Sequence, residues 1–243
     1  MQLFLPKGSS MTEEEKSSWI NFCSELTEKF NKGSDPQPIL FDTDLYRKHK
    51  NSFIYEEYIT QMWKEHYSRA EKLYLEGDQK FLTDDLIRYA FFYSGGGIWQ
   101  KKQIPYLKSK RSESELKIFL KEDHIYWPTI TDENYQSSEC LIHHLTHFTS
   151  FEETTNTRIS EMNTIIEFGG GYGGMCRLAR RLTNSKSTHI IIDLPIFSFI
   201  QYNYLQNVFG KDSVKLIIDD KLPIEKNKVN LIPISNKKAI EQL

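Results

Sequence analysis

The chain has 243 residues, a formal net charge of −2 at pH 7, 39% hydrophobic and 13% aromatic residues, which is a globular composition with ample core and excludes a disordered chain. The near-neutral charge gives no electrostatic case for nucleic acid or an anionic membrane surface, and no apolar run approaches the ~20 residues of a membrane span. The opening Met1-Gln-Leu-Phe-Leu-Pro is too short and uncharged for a secretory signal, and Cys23, Cys140 and Cys176 are odd in number and scattered, which points to reduced thiols in a cytoplasm.

Thr12 and Glu15 form a capping box, and Trp19, Phe22, Cys23, Leu26 and Phe30 follow at helical spacing until Gly33 stops the helix. A second helix is predicted over 55–76, with Tyr55, Ile59, Met62, Trp63, Tyr67, Ala70 and Tyr74 mainly on one side and Gly77 as its stop. Thr83 is the expected cap of a third, over 86–93, apolar enough to be buried. Ser94-Gly-Gly-Gly reads as helix termination, because no strand precedes it and no P-loop lysine follows. Ser112 and Glu115 open a short helix over 112–123, and Tyr126-Trp-Pro is a loop whose aromatics either line an acceptor pocket or, the favoured reading, anchor it in the core. A helix over 137–151 presents Leu141, His144, Leu145 and Phe148 inward. It also carries His143 and His147 at metal-binding spacing, but the glutamate of H-E-x-x-H is missing and no metal site is assigned. The polar residues 152–161 divide a mainly helical region, 1–157, from a second part, 158–243.

The second part is organised around Thr164-Ile-Ile-Glu-Phe-Gly-Gly-Gly-Tyr-Gly-Gly. Residues 164–168 read as a buried strand, and four glycines follow within five residues. A helix comes next, with Met175, Leu178, Ala179 and Leu182 on one face and Arg177, Arg180 and Arg181 elsewhere. Residues 188–192 form a second strand ending in Asp193. Strand, glycine turn, helix, strand and acid make half of a nucleotide-binding α/β unit. Glycines let the backbone bend and approach a ligand, their amides suit an anion, and an acid at the next strand tip can accept from ribose hydroxyls.

Two ligand classes compete for this turn. Gly169, Gly171 and Gly174 satisfy the dinucleotide pattern G-x-G-x-x-G, whereas Glu167, Gly169, Gly171 and Gly173 satisfy E-x-G-x-G-x-G, the first motif of Rossmann-like methyltransferases. Glu167 favours the second: a carboxylate repels a pyrophosphate but suits S-adenosylmethionine, which carries an ammonium and a sulfonium. The stretch from Ile165, with Asp193-Leu-Pro and then Gln201-Tyr-Asn-Tyr-Leu, resembles the putative sugar O-methyltransferase family of bacteria over residues 165–210. The resemblance implies an S-adenosylmethionine cofactor held by Glu167, Gly169, Gly171, Gly173 and Asp193, and a sugar hydroxyl as acceptor. A non-catalytic S-adenosylmethionine-binding module and, less favoured, a dinucleotide-dependent oxidoreductase are the alternatives.

Pro195 opens a further helix with Phe197, Ile200, Tyr204, Leu205 and Val208 at helical spacing, and Gly210 stops it. Residues 214–218 make a third strand, and 229–234 a further one that Pro233 demotes to an edge or an end. The expected class is therefore α/β: a mainly helical region, then the first half of a Rossmann-like methyltransferase sheet. The resemblance implies a fourth, aspartate-led strand, and no such run is present. The sheet is accordingly expected to be incomplete before that strand, no general base can be named, and little turnover is expected. The first strand, otherwise central, would have a bare edge, so the chain should self-associate through it or cover it with 229–234.

Overall fold

The computed structural model describes residues 41–91, 98–220 and 222–243; the helix expected around Trp19 and the run Ser94-Gly-Gly-Gly lie outside them. Helices α1 (Thr43–His49), α2 (Gln61–Glu76), α3 (Asp85–Phe91), α4 (Ile98–Lys110) and α5 (Glu113–Phe119) precede a short hairpin, β1 (Ile130–Asp132) and β2 (Ser137–Ser138), and then α6 (Glu139–Thr155). The second part runs β3 (Thr164–Phe168), α7 (Gly174–Leu182), β4 (Thr188–Asp193), α8 (Pro195–Phe209), β5 (Val214–Leu216), β6 (Val229–Pro233) and α9 (Lys237–Ile240). The protein is α/β, with a four-stranded parallel sheet of Rossmann-like character.

Local chemistry explains most helix boundaries. Gly77 ends α2 in the left-handed region at φ +69°, its N–H donating to Leu73 O and Tyr74 O. The start of α2 lies at Gln61, since residues 56–58 form a separate 3₁₀ turn. Asp84, not Thr83, caps α3: its Oδ1 accepts from the N–H groups of Leu86 and Ile87, while Thr83 Oγ1 donates to Lys80 O. The Ser112–Glu115 capping box forms in both directions, and Ser138 caps α6 through Leu141 N–H. Helix α4 was not expected: Pro105 interrupts it, and its mostly polar sequence carries no apolar stripe. It forms because Leu107 is buried in the cluster that Leu141, Ile142 and Leu145 of α6 build.

The strand order is β3-β4-β6-β5. Ile165, Ile191, Leu231 and Leu216 face the layer that holds α7 and α8, and that layer also receives the helical region. Tyr46, Tyr67, Tyr74, Phe81 and Ile87 pack in one core with Ile191, Phe197, Phe199, Tyr204 and Leu231. The aromatic-rich helices thus cover α8 and the sheet, as their apolar faces require. The opposite face, with Ile190, Ile192, Ile217 and Ile232, is covered by Leu222, Ile224 and the short α9.

Two expectations are corrected here. Strand β3 has the expected bounds but is not buried: it is an edge strand, with Ile166 50% and Phe168 72% exposed. Of the two places that Pro233 allowed β6, an edge or an end, the edge is overturned and the end holds: the strand inserts between β4 and β5, and Pro233 is its last ladder residue, opposite Asp193. Consequently 229–234 does not cover β3, whose outer side is unpaired among the described residues. On α7, Arg177 and Arg180 are buried as well. Arg177 reaches Asp123 and Lys121 O, and Arg180 donates to Ser187 O, both side chains being enclosed by segments outside the sheet. No helix among the described residues is long and apolar enough to cross a membrane.

Candidate functional site

The carboxyl ends of β3 and β4 carry the glycine turn and Asp193, the place where open parallel sheets bind ligands. Gly169, Gly171 and Gly173 have φ of +73°, +57° and +101°, so all three glycines of the E-x-G-x-G-x-G reading occupy conformations that L side chains rarely adopt. Gly170 is constrained differently: a Cβ there would lie 2.7 Å from Ile191 Cγ2 and 3.4 Å from Glu167 Oε1. Gly169 N–H donates to Ile192 O and Gly173 N–H to Gly170 O, which folds the turn back onto the strand tips before Gly173 opens α7.

Glu167 and Asp193 both approach this turn. Glu167 is 12% exposed at its side chain; its Oε2 lies 3.0 Å from His189 Nε2 of the neighbouring strand, and its Oε1 faces Gly170. Asp193 is 8% exposed. Its Oδ1 accepts from Leu194 N–H at 2.7 Å, its Oδ2 from Gln201 Nε2 at 2.7 Å, and the Gly171 N–H also donates to it. Burial, with a further push from the Glu167 charge, raises the Asp193 carboxyl to about 7, while the three donors hold it down. The five residues named from the sequence therefore converge on one turn.

The roles of the other members were not legible beforehand. Phe91 at the end of α3 would meet a Cβ on Gly171 at 3.1 Å, and Leu205 of α8 one on Gly173 at 3.2 Å, so both lie against the turn. Tyr172, buried within the turn, stacks edge-on against Tyr204. Behind it Cys140 lies 3.6 Å from His144 Nε2. Burial pushes the Cys140 thiol up and pulls His144 down to about 3, so the pair is neutral and does not supply a thiolate. Gln201, His189 and Phe91 come from three different elements; all three lay in stretches that the sequence had singled out, but none was given a role there.

The rings of His143 and His147 lie 4.1 Å apart on α6, tilted by 57°, and His143 Nδ1 is 2.6 Å from Gln103 Nε2. No group of three or more His, Cys, Asp or Glu among the described residues is arranged to hold a metal ion. Tyr126-Trp-Pro is a core anchor: Tyr126 is fully buried and donates to Ile200 O. No family model, curated protein or solved structure matches this chain.

Proposed function

We propose that this chain is an S-adenosylmethionine-dependent O-methyltransferase of sugar hydroxyls, with the cofactor held along residues 169–173. One observation carries the reading: two carboxylates, Glu167 and Asp193, approach the same glycine turn closely enough for the charge of one to raise the other. A pyrophosphate brought to that turn would meet both negative charges, whereas an ammonium and a sulfonium are attracted by them. The residues present fit the group. The turn amides and the α7 N-terminus suit its carboxylate, Glu167 its ammonium, and Asp193 its ribose hydroxyls. When bound, the cofactor supplies an electrophilic methyl group, and the task left to the chain is alignment of the acceptor oxygen and removal of its proton. No residue is assigned the role of base. The buried, unpaired thiols Cys140 and Cys176 agree with a cytoplasmic protein.

Isothermal calorimetry with S-adenosylhomocysteine and with NAD tests the reading. Preference for the former is expected, and Asp193→Ala should lose about 1.5–3 kcal/mol of binding. Glu167→Gln should weaken binding without unfolding the protein. Tighter NAD binding would overturn the assignment. A second reading, a glycine turn serving the fold alone, is favoured by the fact that each carboxylate already has a donor from the chain. Absence of binding to either ligand is its signature.

A further inference from the structure

Gln201 stands out on α8. Its neighbours Phe197, Ile200, Tyr204 and Leu205 are buried hydrophobics, and Gln201 itself has no exposed surface. Its Nε2 donates both to Gly171 O at 3.0 Å and to Asp193 Oδ2 at 2.7 Å. Both neighbours are acceptors while Asp193 is ionised, so the amide orientation follows from chemistry. The same orientation leaves Gln201 Oε1 buried without a partner. An orphaned buried acceptor costs free energy that a leucine or methionine at this position would avoid. A side chain kept only to fill the core would not carry that cost.

We infer that Gln201 is the positioning residue of this site, tying the glycine turn to Asp193 and keeping that carboxylate available as an acceptor. The inference rests on the S-adenosylmethionine reading for what is accepted, but not for the coupling itself. The other donors to Asp193 are the main-chain N–H groups of Leu194 and Gly171; Gln201 is its one side-chain donor among the described residues. The charged groups around it are few. From β3 comes Glu167, which His189 of β4 contacts; Cys176 of α7 lies by Glu167, and Arg180 lies by Cys176. Helix α8 contributes only the phenols of Tyr202 and Tyr204, which burial pushes up and keeps neutral, strand β6 contains no ionisable side chain, and α3 reaches the turn through Phe91. Nothing else on these elements can replace the Gln201 amide.

The test uses the whole chain, first without ligand. With ¹³C-labelled aspartate carboxyls, the Asp193 resonance is identified by its loss in Asp193→Asn and followed against pH. In Gln201→Met its midpoint should move up by about one pH unit. Gln201→Glu, nearly isosteric but an acceptor, should move it further, and it keeps the test open if the methionine variant fails to fold. An unchanged midpoint in a folded variant overturns the inference. Calorimetry with S-adenosylhomocysteine from pH 6 to 9 adds the second readout: Gln201→Met should weaken binding about tenfold at pH 7, and the loss should shrink toward pH 9. An equal loss at every pH marks a merely structural role and refutes the inference. A shifted midpoint in a wild-type protein that does not bind the probe upholds the coupling and sinks the cofactor reading instead.

Discussion

Asp193→Asn should reverse part of the pH dependence of stability. The carboxyl is nearly enclosed, and its folded value of about 7 lies far above the ordinary aspartate value of 3.8. The native state therefore holds a proton that the unfolded chain releases earlier. The stability from that proton is fully present below about pH 4 and is lost as pH rises through about 7. Each pH unit inside the window is worth about 1.4 kcal/mol, so the whole effect is on the order of 4 kcal/mol. Between pH 5 and 7 the wild type should lose about 2–3 kcal/mol that the asparagine variant keeps. For a chain of this size that amounts to about 5–10 °C in the difference between the two melting temperatures. The asparagine amide faces one donor that the carboxylate had accepted, costing about 1–2 kcal/mol, but this cost is the same at every pH. Scanning calorimetry of both proteins from pH 5 to 8.5 measures the difference directly, and other titrating groups cancel in it. Parallel melting curves across that range would refute the reasoning, because they would mean Asp193 is already ionised at pH 5.

The affinity for S-adenosylhomocysteine should rise with pH through about 7, since only ionised Asp193 accepts two hydroxyls; titration calorimetry at pH 6 and 8 that finds equal affinities contradicts this. The outer side of β3, unpaired among the described residues, with Ile166 and Phe168 exposed beside it and no lysine or proline within the strand to guard it, should drive concentration-dependent self-association. Phe168→Lys should shift sedimentation toward monomer, and an identical profile would show that the edge is not the contact. Gly170→Ala should lower stability by about 1–3 kcal/mol through the clash with Ile191 Cγ2. If the clash is the cause, Ile191→Ala combined with it should cost less than the two separate losses together.

Local signals were legible wherever one short stretch contains both the cause and the effect. The bounds of β3, the left-handed stop at Gly77, the Ser112–Glu115 box and the start of α8 at Pro195 each depend on a few neighbouring residues. The same holds for the glycine turn: the spacing of Glu167, Gly169, Gly171, Gly173 and Asp193 already implies that strand tip, turn and next strand tip converge. What pairs with what was decided in three dimensions. Residues 229–233 form a strand by composition, but their place between β4 and β5 depends on hydrogen bonds to partners distant in sequence. That placement leaves Ile166 and Phe168 exposed, although an apolar run reads as buried whether or not a neighbouring strand arrives. The burial of Arg177 and Arg180 likewise depends on distant partners, Asp123, the Lys121 carbonyl and the Ser187 carbonyl, which enclose them. The raised proton affinity of Asp193 belongs to the tertiary structure for the same reason, because desolvation is set by whatever packs around a group and not by its own stretch of chain.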